Sequence, residues 1–175
     1  MPIHMAIAMG WEGYICGQGS SGYSVALGDT SDGRTKYNNT GRLSRIKSLF
    51  DNKKIDALIV LGSINDGDTA PATVGADAAA VFTYFRDNVP TLPIVSASSV
   101  GITKTTNLTN VNVQLSQQAA LFANVKGHFS QYQWFTDNLL IPGTPHLTRQ
   151  GRKIHGQRVG IEARRILQAA GFTAA

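Results

Sequence analysis

The stretch from Ile55 to Leu61 constrains the fold more than any other. After Asp56 it is continuously apolar, the signature of a strand buried on both faces of a parallel sheet. Pro93 to Ser98 reads the same way, and the alanine-rich segment Thr73 to Asn88 between them reads as a helix closed before Pro90. The alternation continues on both sides. Arg42 to Phe50 reads as a helix with Leu43, Ile46, Leu49 and Phe50 on one face. Thr109 to Asn124 is a second, with Val111, Leu115 and Phe122 inward. Thr148 to Ala170 is a third, with Ile154, Val159, Ile161, Ile166 and Leu167 supplying apolar contacts. Trp11 to Cys16 reads as a short strand, Ile3 to Ala8 as the end of a helix stopped at Gly10, and 127–145 as irregular with a short strand. Strand and helix in alternation predict a parallel sheet covered by helices, in one domain over 1–175.

Composition agrees with a packed domain. Hydrophobic residues make up 42% and charged residues 15%, against disorder. Cys16 is the one cysteine, so no intrachain disulfide forms, and its apolar surroundings make it a small core residue. No run is long enough to span a bilayer, and Met1 to Met9 lacks the basic leader of a signal peptide. The formal net charge is +5 and the pI about 9.6. Arg149, Arg152, Lys153, Arg158, Arg164 and Arg165 crowd the C-terminal stretch. They read as a solvated helix face, because no nucleic-acid motif accompanies them.

In open parallel sheets ligands bind at the carboxyl ends of the strands, so polar residues there are the candidates for chemistry. Three loops fall there, after Cys16, after Leu61 and after Ser98, and the segment before the last helix can approach the same rim. Gly17-Gln18-Gly19-Ser20-Ser21-Gly22-Tyr23 is a glycine-rich turn after the first strand, where backbone N–H groups can approach a substrate closely. Gly62-Ser63-Ile64-Asn65-Asp66 ends the buried run in a polar loop. Pro145-His146-Leu147-Thr148-Arg149-Gln150-Gly151 opens the last helix, with Thr148 as its cap.

In this order and spacing the segments resemble the second, third and last blocks of the SGNH (GDSL-type) serine hydrolases, and the resemblance covers nearly the whole chain. It implies a three-layer α/β/α sandwich of flavodoxin-like SGNH type with a mostly parallel sheet. It further implies cleavage of ester or acyl groups on a small molecule or carbohydrate, with no cofactor and no metal. It assigns catalytic roles to His146 as general base and Asn65 as oxyanion donor, with Gly19 and Ser20 donating through backbone N–H. It assigns substrate contacts to Gly62, Ser63, Asp66 and Gly22. Neither nucleic acid nor a membrane span is expected.

The sequence departs from the family pattern in four places. Ser20 and Ser63 stand where related segments carry glycine. Gly143 occupies the position of the aspartate that holds the histidine, and Asp137 lies further upstream. The block bearing Gly-Asp-Ser is not matched, so the reading expects the nucleophile and the first strand outside these 175 residues, supplied by upstream sequence, a partner segment or a homo-oligomer. Gly28-Asp29-Thr30-Ser31 lies after the turn instead of before it, and a threonine replaces the serine. Without the missing strand the chain is expected to be marginal or aggregation-prone. The alternative is a non-catalytic relative that uses the same cleft for binding. A nucleotide-binding domain, suggested by Gly17-Gln18-Gly19, lacks the third glycine and the immediate helix.

Overall fold

A computed structural model describes residues 10–14, 21–26, 35–62, 64–99, 105–131, 134, 139–142, 144 and 146–172. The described elements, in chain order, are helix α1 (Thr40–Asp51), strand β1 (Leu58–Gly62), a short 3-10 helix (Ile64–Asp68), helix α2 (Pro71–Asn88), strand β2 (Ile94–Ser99), helix α3 (Thr105–Ala120), strand β3 (Val125–Phe129) and helix α4 (Arg149–Ala169). The strands form an open parallel sheet in the order β1-β2-β3. The alternation read from the sequence is therefore an α/β fold with a parallel sheet.

Side chains alternate across that sheet and build a core on each face. Leu58, Val60 and Ile94 join Val74, Phe82, Phe85, Val111 and Leu115 on the side of α1, α2 and α3. Ile59, Leu61, Val95, Ala97 and Phe129 face Val159, Ala163, Ile166 and Leu167 of α4. Helices on both faces make three layers, the arrangement that lets a parallel sheet be covered.

The local signals for these elements are physical. The Asn39 side chain accepts the Arg42 N–H at 3.2 Å and caps α1. Pro71 stands in the first turn of α2, where its missing N–H costs nothing. Among the core positions of α4, Ile161 is an exception: it is 58% exposed. It lies two residues past buried Val159, which turns it to the outer side of the helix.

Two strand expectations change. β2 is buried at every position, as read, but every residue of β1 is only half-buried. Among the described residues β1 is paired along one edge, with β2, so its apolar run is not enclosed as β2 is. The strand read from Trp11 to Cys16 is absent over Trp11 to Tyr14, where Gly10 turns the chain at φ 69°. Ile15 and Cys16, and the helix read at Ile3 to Ala8, lie outside the described residues. The short strand expected within 127–145 is β3, which begins two residues before Gly127.

Candidate functional site

The carboxyl end of β1 passes directly into the 3-10 helix, and that helix is tied to the turn at 21–26. Ser21 and Ala26 pair as an isolated antiparallel bridge, and Gly22 N donates to Val25 O at 2.7 Å, closing a tight turn. The Asp66 carboxylate accepts the Tyr23 N–H at 2.9 Å and the Ser24 N–H at 3.0 Å. Asn65 Nδ2 donates to Ser21 O at 3.3 Å. Gly22 permits this approach, since a Cβ there would lie 2.5 Å from the Asp66 carboxylate oxygens. Two of the three segments singled out in the sequence thus meet at one place.

Asp66 is fully buried. Burial pushes its carboxyl above the ordinary carboxylate range, while the N–H groups of Ser24, Tyr23 and Val25 pull it back down. Its carboxylate is engaged with the turn, so the residue shapes the site instead of offering a surface to a substrate. Gly62 is likewise a packing position. A Cβ there would lie 2.6 Å from Ser99 N, where the β1–β2 register shifts between Leu61 and Gly62. Gly19, Ser20 and Ser63 lie outside the described residues, as do Gly28 to Ser31, Asp137 and Gly143.

His146 sits in the loop that precedes α4, and its side chain is exposed. Leu140 and Leu147 bridge as antiparallel neighbours, Ile141 N donates to His146 O at 2.8 Å, and His146 N donates to Thr144 Oγ1 at 3.2 Å. Thr148 caps α4 as read, accepting Gly151 N–H at 3.0 Å. It also donates its hydroxyl to Leu139 O at 3.2 Å and its N–H to the same carbonyl at 2.9 Å. Among the described residues no hydrogen bond joins His146 to the cluster around Asn65.

The glycine of this last segment has a specific reason. A Cβ at Gly151 would collide with the Leu139 carbonyl, the acceptor that holds Thr148. Gly151→Ala is expected to destabilise the protein by about 2 kcal/mol, the usual scale of overpacking, despite the better helix propensity of alanine. Thermal unfolding checks this; an unchanged or raised melting temperature would mean that the loop yields freely.

Sequence reasoning missed several residues that hold the site. Arg42 donates to Ser21 Oγ at 3.2 Å and to Thr35 O at 3.1 Å, with its guanidinium 4.6 Å from the centre of the Tyr37 ring. Asn107 Nδ2 donates to Gly67 O at 2.7 Å and Thr69 O at 3.0 Å, fastening α3 to the 3-10 helix. Asn112 Oδ1 accepts the Ser99 N–H at 2.7 Å. A signal was present: Asn107, Asn110 and Asn112 fall inside a helix, where asparagine is a poor former and so is often kept for its side chain.

The other two described histidines are structural. His155 is buried, and its Nε2 lies 2.5 Å from Gln131 Oε1. Gln131 in turn donates its side-chain amide to Ser98 O and its N–H to Ser98 Oγ at 2.8 Å. His128 pairs through Nδ1 with Ser96 Oγ at 3.1 Å. Burial lowers both imidazoles to about 4, so they are neutral at pH 7. No described helix is long and apolar enough to cross a membrane. The chain matches no family model, and no curated protein or solved structure matches it.

Proposed function

We propose that this chain supplies the oxyanion-binding and general-base elements of an SGNH-type serine hydrolase, acting on ester or acyl groups of a small molecule or carbohydrate. The observation that carries the reading is the meeting of the 21–26 turn with Asn65 and Asp66 at the carboxyl end of β1. Oxyanion stabilisation needs donors held in a fixed relation before the reaction begins. Asp66 provides that fixity by anchoring successive N–H groups of the turn.

On this reading a serine hydroxyl, carried outside the 175 residues, attacks the carbonyl carbon. His146 takes the hydroxyl proton as the new C–O bond forms. Negative charge collects on the carbonyl oxygen, facing the Asn65 amide and the N–H groups of Gly19 and Ser20. Collapse expels the leaving group, which receives the proton from His146, and water repeats the sequence to release the acid. A second reading, a binding module using the same cleft, is favoured by one feature. No carboxylate among the described residues holds the exposed His146 side chain.

A fluorophosphonate probe separates the readings. It is applied to this chain and to a form extended upstream in its native reading frame. The expected result is labelling of the extended form alone, abolished in His146→Ala. Asn65→Ala in that form is expected to lower the rate of ester hydrolysis about 100-fold, the usual cost of one oxyanion donor. No labelling of either form, with both folded, would favour the binding module. Labelling of the 175-residue chain itself would place the nucleophile inside it.

A further inference from the structure

The charge of this protein is concentrated on one helix. α4 carries six of the sixteen lysines and arginines and one of the eleven acids, a net of +5 that equals the formal charge of the whole chain. The remaining sequence holds ten of each sign.

Three structural facts set these cations apart from an ordinary solvated face. Arg149, Arg152, Lys153, Arg158, Arg164 and Arg165 are all exposed, while His155, Val159, Ala163, Ile166 and Leu167 of the same helix are packed against the sheet. Lys153, Arg158, Arg164 and Arg165 therefore flank the outward side of a helix about 30 Å long, while Arg149 and Arg152 are exposed at its first turns, in register with buried Gly156, Val159 and Gly160. Arg158 donates to Trp134 O and Arg165 pairs with Glu162, but Arg149, Arg152, Lys153 and Arg164 meet no acceptor among the described residues. Finally, Arg149, Arg152 and Lys153 stand in the first turns of α4, which hold no acid, where the helix dipole disfavours positive charge. Their placement costs the fold stability, and no partner among the described residues offsets it.

We propose that the outward face of α4 is a docking surface for the phosphate backbone of a nucleic-acid duplex. Cations flanking the outward side of one helix and clustered at its first turns, on a chain of pI about 9.6, make the electrostatic footprint of phosphate binding. A membrane surface fits less well. Ile161 is the one large apolar side chain exposed on this face, and the apolar side of the helix is already buried in the domain. A single strand also fits less well, since the outward face presents no aromatic ring on which bases could stack. Gln150, Gln157 and Gln168 lie exposed between the cations and add neutral donors for phosphate oxygens. The inference does not depend on the acyl-transfer reading.

The test is fluorescence anisotropy of a labelled short DNA duplex titrated with the full chain over a series of salt concentrations. A variant carrying Arg152→Gln, Lys153→Gln and Arg164→Gln is titrated alongside it. The expected result is binding at low salt that weakens as salt rises. The log–log slope should be shallower in the variant by about 3, close to one for each cation replaced. The substitutions are on the surface, so the variant should melt near the parent temperature. Absence of binding at low salt would overturn the proposal. So would an unchanged slope in a folded variant, or binding to phosphatidylglycerol vesicles without binding to the duplex.

Discussion

Asp66→Ala is expected to destabilise the protein by about 3 kcal/mol and to lower its melting temperature by roughly 10 °C. The carboxylate lies in the interior and accepts the N–H groups of Tyr23 and Ser24. Alanine would leave those two buried donors without an acceptor, at about 1–3 kcal/mol each. Part of that cost is returned, because burial already penalises the charged carboxylate. Asp66→Asn is a sharper probe than alanine. It keeps one acceptor oxygen but turns an NH2 group toward a second donor, so it should recover only part of the stability that alanine forfeits. Denaturant unfolding of the three proteins checks the order: parent, then asparagine, then alanine. If asparagine matches the parent, the carboxylate is not anchoring both N–H groups. If alanine does, the turn is held by other contacts, such as that from Arg42 to Ser21 Oγ. On the acyl-transfer reading, the released turn would also cost activity, because the N–H groups of Gly19 and Ser20 precede the anchored segment directly.

Much of this was legible in the sequence because it follows from short-range rules. The apolar runs that became β1 and β2 are flanked by helix patterns, and a strand–helix–strand alternation leaves few alternatives. Thr148 was legible as a cap because threonine followed three residues later by Gly151, at the start of a periodic run, has a known local geometry. The meeting of Gly22 with Asp66 was not legible as a contact. Forty-odd residues separate them, and only the folded chain shows that the missing side chain of one makes room for the carboxylate of the other. The same holds for Arg42, whose role depends on where α1 lies against the turn. β1 misled for a related reason. An apolar run records that a strand is built to be covered, and its sequence does not record what covers it.

His155 is the clearest illegible case, and it carries the second large prediction. A lone histidine inside a cationic helix has no motif, yet this one is enclosed by Trp134 and Gln131. Gln131 Nε2 donates to Ser98 O, which turns Oε1 toward the imidazole, so His155 Nε2 must carry the proton and donate. Burial, with Arg158 adding repulsion, holds the folded imidazole at about 4, against 6.5 for an ordinary histidine. His128 is lowered to about 4 by burial as well, though it is only partly enclosed. As pH falls from 6.5 toward 4, the unfolded chain takes up a proton at each site and the folded chain does not, so stability falls through that window. Below about 4 both states are protonated and the loss is complete. For His155 it amounts to about 3 kcal/mol, and for His128 to less because solvent reaches it. Asp66 works in the opposite sense, since its raised carboxyl favours the folded state as acid is added. The raw pH profile therefore mixes both signs, and the difference between the parent and His155→Gln isolates the histidine. Glutamine can still donate toward Gln131 and does not titrate. Urea unfolding from pH 7.5 to 4 should show the variant losing less stability than the parent, with the gap opening below pH 6.5. Parallel profiles would mean that His155 takes up its proton, at Nδ1, as readily in the folded protein as in the unfolded chain, with Nε2–H still donating to Gln131.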